Sequence, residues 1–156
     1  MKIVVASVGR PGKLFLPGIR EYEERAARYW KLETTEVKAE RASENRPVSA
    51  VRQQEGERLR AAVPAGAEIV ALTRGGEGWS SDQLAKYLGE LALRGETGAA
   101  FLIGGPFGLD RALVKEAAHR LSLSTVTMPH EMARLILAEQ LYRAGTILRG
   151  EPYHKG

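Results

Sequence analysis

With 156 residues, 44% of them hydrophobic and 27% charged, the chain has enough apolar material for one sizeable core and reads as one domain spanning 1–156. It has no run of about 18 apolar residues and no charged-then-apolar leader, so the reading expects no membrane insertion or export and favours the cytoplasm. With no cysteine, disulfides, thiolate metal sites and cysteine nucleophiles are excluded; the net charge of +4, carried mainly by arginine, admits a polyanionic partner without requiring one.

Met1 to Gly9 reads as a buried strand, and a helix follows from Pro17 to Trp30 with proline in its first turn. LETTEVKA alternates as a strand does, ERASENRP is a polar loop, and Val48 to Ala62 forms a charged helix closed by the turn Pro64 to Gly66. Glu68 to Thr73 is a third strand, followed by the loop RGGEGW. A helix then starts with a capping box, Ser80 with Gln83, and carries Leu84, Tyr87, Leu88 and Leu91 on one face. Ala99 to Ile103 is a fourth strand, Asp110 is placed to cap a helix running to Arg120, Leu121 to Met128 is a short fifth strand, and one long helix covers His130 to Leu148. Strands alternate with helices and the central strands lack polar alternation, which predicts an α/β fold with a mostly parallel sheet covered on both faces. The last helix has apolar residues around much of its circumference. It is therefore expected to pack on a second subunit as well as on its own sheet, giving a homodimer.

Two glycine turns follow strands. The segment Gly76-Glu-Gly-Trp-Ser-Ser81 nearly matches the dinucleotide fingerprint, but Ser81 replaces its third glycine, Glu77 stands where phosphate would approach, and Glu96 precedes the next strand instead of ending it. A tight turn is the better reading. Gly104-Gly-Pro-Phe-Gly108 matches neither that fingerprint nor the Walker pattern. It reads either as a plain strand-to-helix turn or as a place where backbone approaches a flat ligand such as adenine. The only histidines are His119, His130 and His154; none falls in a metal or nucleophile motif, so no metal is expected.

Taken together, IGGPFGL at 103–109, LSLSTVTMPHEMAR at 121–134, EQLYRA at 139–144 and the ending RGEPYHKG resemble the ribosomal large-subunit methyltransferase H family of the SPOUT class, over nearly the whole chain. The resemblance implies an S-adenosylmethionine-dependent enzyme that methylates N3 of a pseudouridine in 23S rRNA of the large subunit, in the stem-loop facing the decoding centre. It also implies an obligate homodimer and a C-terminal trefoil knot, of which periodicity gives no sign. On the resemblance, the cofactor site maps to Leu72, to Gly104 with Gly105, and to Leu123, Ser124, Thr125, Val126, Thr127 and Met128. Tyr153, His154 and Arg143 fall near the methyl donor, with His154 the first choice of proton acceptor and solvent the second. Arg134, Glu139 and His130 fall on the substrate side. Two positions depart from the family pattern, Thr73 where an acid is usual and Glu77 where a lysine is usual, and Arg74 returns a positive charge nearby. Two other readings stay open: a catalytically silent ribosome-binding module on the same fold, and a nucleotide-dependent oxidoreductase using the Gly76 loop.

Overall fold

The computed structural model describes residues 1–156. Its elements run β1 (Lys2–Val8), α1 (Leu16–Ala26), β2 (Lys31–Val37), α2 (Val48–Ala61), β3 (Glu68–Gly78), α3 (Ser81–Leu93), β4 (Gly98–Ile103), α4 (Arg111–Glu116), β5 (His119–Ser122) and α5 (His130–Leu148). The five strands form one sheet in the order β2-β1-β4-β3-β5, with every neighbouring pair parallel. Parallel strands require crossover connections, and helices fill them, so both faces are covered.

Alternate residues of the central strands serve two cores. Ile3, Val5, Phe101 and Ile103 point to the side covered by α1, α3 and α5, where they meet Leu88, Leu91, Leu137 and Leu141. Val4, Ala6, Val8, Ala100 and Leu102 point to the other side, where they meet Leu59 of α2 and Leu113 of α4. This is why β1 and β4 read as unbroken apolar runs. Each of these fully buried Leu, Ile or Phe side chains contributes about 1.5–3 kcal/mol.

Local chemistry sets several element ends. The capping box of α3 is present: Gln83 N donates to Ser80 Oγ at 3.1 Å, and Ser80 N donates to Gln83 Oε1 at 2.7 Å. Three expectations need correction. Helix α1 stops at Ala26, short of Trp30. Helix α4 stops at Glu116, and Asp110 makes no capping bond. Arg120 lies in β5 instead of the helix, and its guanidinium donates to the carbonyls of Val114 and Ala117, which end the helix. The fifth strand is His119–Ser122, not Leu121 to Met128. Ser122 Oγ donates to Ser124 O and Val126 N donates to Ser124 Oγ, and these local bonds turn the chain out of the ladder.

Strand β3 also differs from expectation. RGGEGW is not a tight turn: β3 continues to Gly78, with a break in register against β5 where Leu72 and Glu77 both face Leu121. Residues 73–76 bulge out between them. A Cβ on Gly76 would stand 2.6 Å from Arg120 O, so the near-fingerprint glycine serves close strand packing.

Candidate cofactor pocket and tail cluster

In a parallel sheet all strands end on one edge, and open sheets of this kind bind ligands beyond that edge. Here the ends of β3 and β4 and the loop after β5 enclose a cavity of about 370 Å³, within the range of small-molecule sites. Leu72, Ile103, Leu109, Leu121, Leu123 and Met128 supply apolar wall, and the turn from Gly104 to Gly108 and the loop residues Ser124, Val126 and Thr127 supply backbone and hydroxyl groups. Arg74 and His130 are the two titratable residues in the lining.

The turn after β4 is shaped by its glycines, though neither Gly104 nor Gly105 has positive φ. Gly108 N donates to Gly105 O at 3.0 Å, closing the turn on itself, and Gly108 takes φ +83°. A Cβ on Gly104 would lie 2.7 Å from the Gly108 carbonyl carbon, and one on Gly105 would lie 3.1 Å from Val8 Cγ1. The missing side chains thus serve the tightness of the turn itself, and that tightness leaves the turn's backbone lining the cavity.

A second group of candidates gathers elsewhere. Glu139 Oε1 accepts from Arg143 at 2.6 Å and from the Tyr153 hydroxyl at 3.0 Å. Arg143 also lies 4.8 Å from the centre of the Tyr153 ring and donates to His154 Nδ1 at 3.1 Å. Arginine only donates, so Nδ1 is the accepting nitrogen and the His154 proton sits on Nε2. Nε2 is buried without a hydrogen-bond partner; Asp82 Oδ2, at 3.6 Å, is an ion-pair distance away but too far for a hydrogen bond. The Glu139 hydrogen bond raises the Arg143 pKa. Burial, and then the Glu139 carboxylate, push the Tyr153 phenol up to about 12. Gln140 joins this cluster to α3, donating to Glu139 Oε2 and accepting from Ser81 Oγ.

This cluster does not reach the cavity of its own chain. His130 lines the cavity, and Glu139 follows nine residues later on α5, about 13 Å further along the axis at ~1.5 Å per residue. Between them stands a smaller cavity of about 270 Å³, lined by Trp79, Ile136 and Gln140 and sharing Leu121 and Leu123 with the first.

The family model described as "Predicted SPOUT methyltransferase" matches residues 1–154. A protein named Ribosomal RNA large subunit methyltransferase H from Gemmatimonas aurantiaca is 48% identical over 156 residues, covering 99% of this chain and 100% of the relative. Proteins of the same name from Clostridioides difficile and Listeria monocytogenes are 40% identical over 159 residues, with the same coverage. The chain belongs to the SPOUT methyltransferases, in the methyltransferase H family.

SPOUT methyltransferases of this type use S-adenosylmethionine, and the cavity fits that molecule. Its apolar walls and backbone groups suit a flat adenine, and it offers no glycine fingerprint or lysine for a phosphate, which this cofactor lacks. Of the residues that the resemblance assigns to the cofactor, all but Thr125 line the cavity; Thr125 is exposed on the same loop. His130, assigned to the substrate, lines the same cavity, its ring beside Gly9. Arg134, also assigned to the substrate, is 6% exposed and turned away. It donates through Nε and Nη2 to Glu23 and through Nη1 to Glu36, tying α5 to α1 and β2. Burial opposes its charge, but the two carboxylates outweigh that and raise its pKa. Sequence reasoning missed Ile103, Phe107 and Leu109 as lining residues; their signal was position, at the end of β4 and just after it. Arg74 was visible only as a positive charge near positions 73 and 77; its place in the lining comes from the bulge in β3.

Proposed function

We propose that this protein transfers a methyl group from S-adenosylmethionine to N3 of a pseudouridine in 23S rRNA of the large ribosomal subunit. It does so in the cytoplasm, as a homodimer of one SPOUT domain over 1–156 with a C-terminal trefoil knot. The observation that carries this reading is the cavity built by Leu72, Gly104, Gly105 and the loop 123–128, whose lining has no phosphate-binding motif, in a chain of this family. The relatives' name, which specifies large-subunit ribosomal RNA, supports the substrate class.

When bound, the cofactor would supply an electrophilic sulfonium methyl group, to whose carbon the ring nitrogen bonds as the carbon–sulfur bond breaks and the sulfur leaves as a neutral thioether. The protein aligns donor and base and accepts the N3 proton. The apolar wall excludes water from the donor side, and the backbone of the turn and loop fixes its adenosyl part. Because Tyr153, His154 and Arg143 lie away from their own cavity, we assign them to the cavity of the neighbouring protomer. Arg143 turning its donors to an RNA phosphate or a uracil carbonyl releases His154 Nδ1, whose lone pair then takes the N3 proton. Glu139 holds Arg143 until that exchange.

The test is transfer of labelled methyl from S-adenosylmethionine to assembled ribosomes, isolated large subunits and naked 23S rRNA, followed by mapping of the modified nucleotide. Label on N3 of a single pseudouridine is the expected result. Cofactor binding with no transfer to any of the three would leave a silent ribosome-binding module.

A further inference from the structure

Among the residues lining the cavity, Arg74 is the one permanently charged group, and no carboxylate lines the wall. Its place comes from the bulge in β3. Leu72 faces Leu121, and the next paired residue, Glu77, faces the same Leu121, so residues 73–76 leave the ladder. A bulge re-aims the side chains it carries. Here it sends Arg74 into the wall, and Arg74 Nη1 donates to Thr127 Oγ1 in the loop after β5. That is its one side-chain hydrogen bond, and no acidic side chain lies within ion-pair distance of it, in contrast to Arg134 and Arg143. A guanidinium has five N–H donors in a planar fork matched to a carboxylate, so Arg74 retains an unfilled binding edge.

S-adenosylmethionine carries a positive sulfonium, a positive amino group and one negative group, the carboxylate of its methionyl part. We propose that Arg74 binds this carboxylate, with Thr127 holding the guanidinium in place; the assignment rests on the S-adenosylmethionine reading of the cavity. Arg74 is thus a positioning residue. It fixes the amino-acid end of the donor, and through it the direction of the sulfonium methyl, while the turn at Gly104 holds the adenosyl end. It also selects against adenosine derivatives that lack an amino-acid tail.

Calorimetric titration of the full-length protein with S-adenosylhomocysteine and with methylthioadenosine, which lacks the amino-acid part, tests the assignment without any turnover. Arg74→Ala is expected to weaken S-adenosylhomocysteine about tenfold to a hundredfold, the usual range for a lost charge-assisted hydrogen bond, and to leave methylthioadenosine within about twofold. Arg74→Lys restores part of the loss, because an ammonium keeps the charge and loses the fork. Unchanged affinity for S-adenosylhomocysteine, or an equal loss for both ligands, overturns the proposal. If the unsubstituted protein binds neither ligand, the cofactor reading itself fails, and the assignment falls with it.

Discussion

Gly104 and His154 show how differently single residues act here. At Gly104 even a methyl group meets backbone, since its Cβ would stand 2.7 Å from the Gly108 carbonyl carbon and 2.9 Å from Leu109 N. Gly104→Ala must therefore open the turn, at a cost of about 1–3 kcal/mol in stability. It should also lower S-adenosylmethionine affinity at least tenfold in calorimetry, and unchanged affinity would show that the turn's shape does not matter to the ligand. The resemblance pointed to this residue, but its reason lies in the fold: the glycine is needed by the turn, not by direct approach of a ligand to its α-carbon. His154 is the opposite case. It stands outside the cavity of its own chain, so His154→Ala is expected to cut single-turnover methyl transfer sharply while cofactor affinity stays within about twofold. Equal turnover in the two proteins would remove His154 from the chemistry. Local sequence gives this histidine no ordering partner in its own short tail; its ring is held by Arg143 on α5 and lies 3.6 Å from Asp82 of α3.

Helix α5 is the element where function and stability meet. Its first turn brings His130 and Ala133 to the cavity, its middle carries Glu139 and Arg143, and Leu137, Leu141 and Ala144 anchor it in the core. The all-round apolar pattern was legible, and part of its cause is internal: α1 packs on one side, α3 on another, and the sheet beneath. At Gly145 the approach of α1's end is so close that a Cβ would lie 2.4 Å from the Tyr29 ring. Arg134 could not be read this way. The resemblance places it on the substrate side, whereas here it closes an ion triad with Glu23 and Glu36. Its side chain is 7% exposed, against 14% for Glu23 and 30% for Glu36. Arg134→Ala removes the cation and leaves two carboxylates facing each other, so a loss of about 3–5 kcal/mol is expected in urea unfolding. A loss below about 1 kcal/mol would return Arg134 to the list of substrate contacts.

For the whole molecule, the edge that holds the cavity also carries exposed apolar residues. Phe107, Val126 and Met132 are 41%, 67% and 39% exposed, and Leu14, at 85%, lies in the loop after β1 that leans on α5 where Gly12 N donates to Glu131. Apolar side chains gathered around a site mark a contact surface. Sedimentation at micromolar concentration should therefore give a dimer, and Leu14→Glu with Met132→Glu should shift it toward monomer; a monomeric unsubstituted protein would end the dimer proposal. The sequence by itself determined the alternation of strands and helices, the parallel sheet and the two-sided core, because periodicity and apolar runs are local consequences of strand and helix geometry. It also carried the family resemblance, through the ordered set of segments around Gly104, Leu123 and the tail. The tertiary structure decided what depends on distant partners. The bulge that aims Arg74 exists only against β5. The pairing of Arg134 with Glu23 and Glu36 joins residues about a hundred positions apart, a distance no local pattern can read.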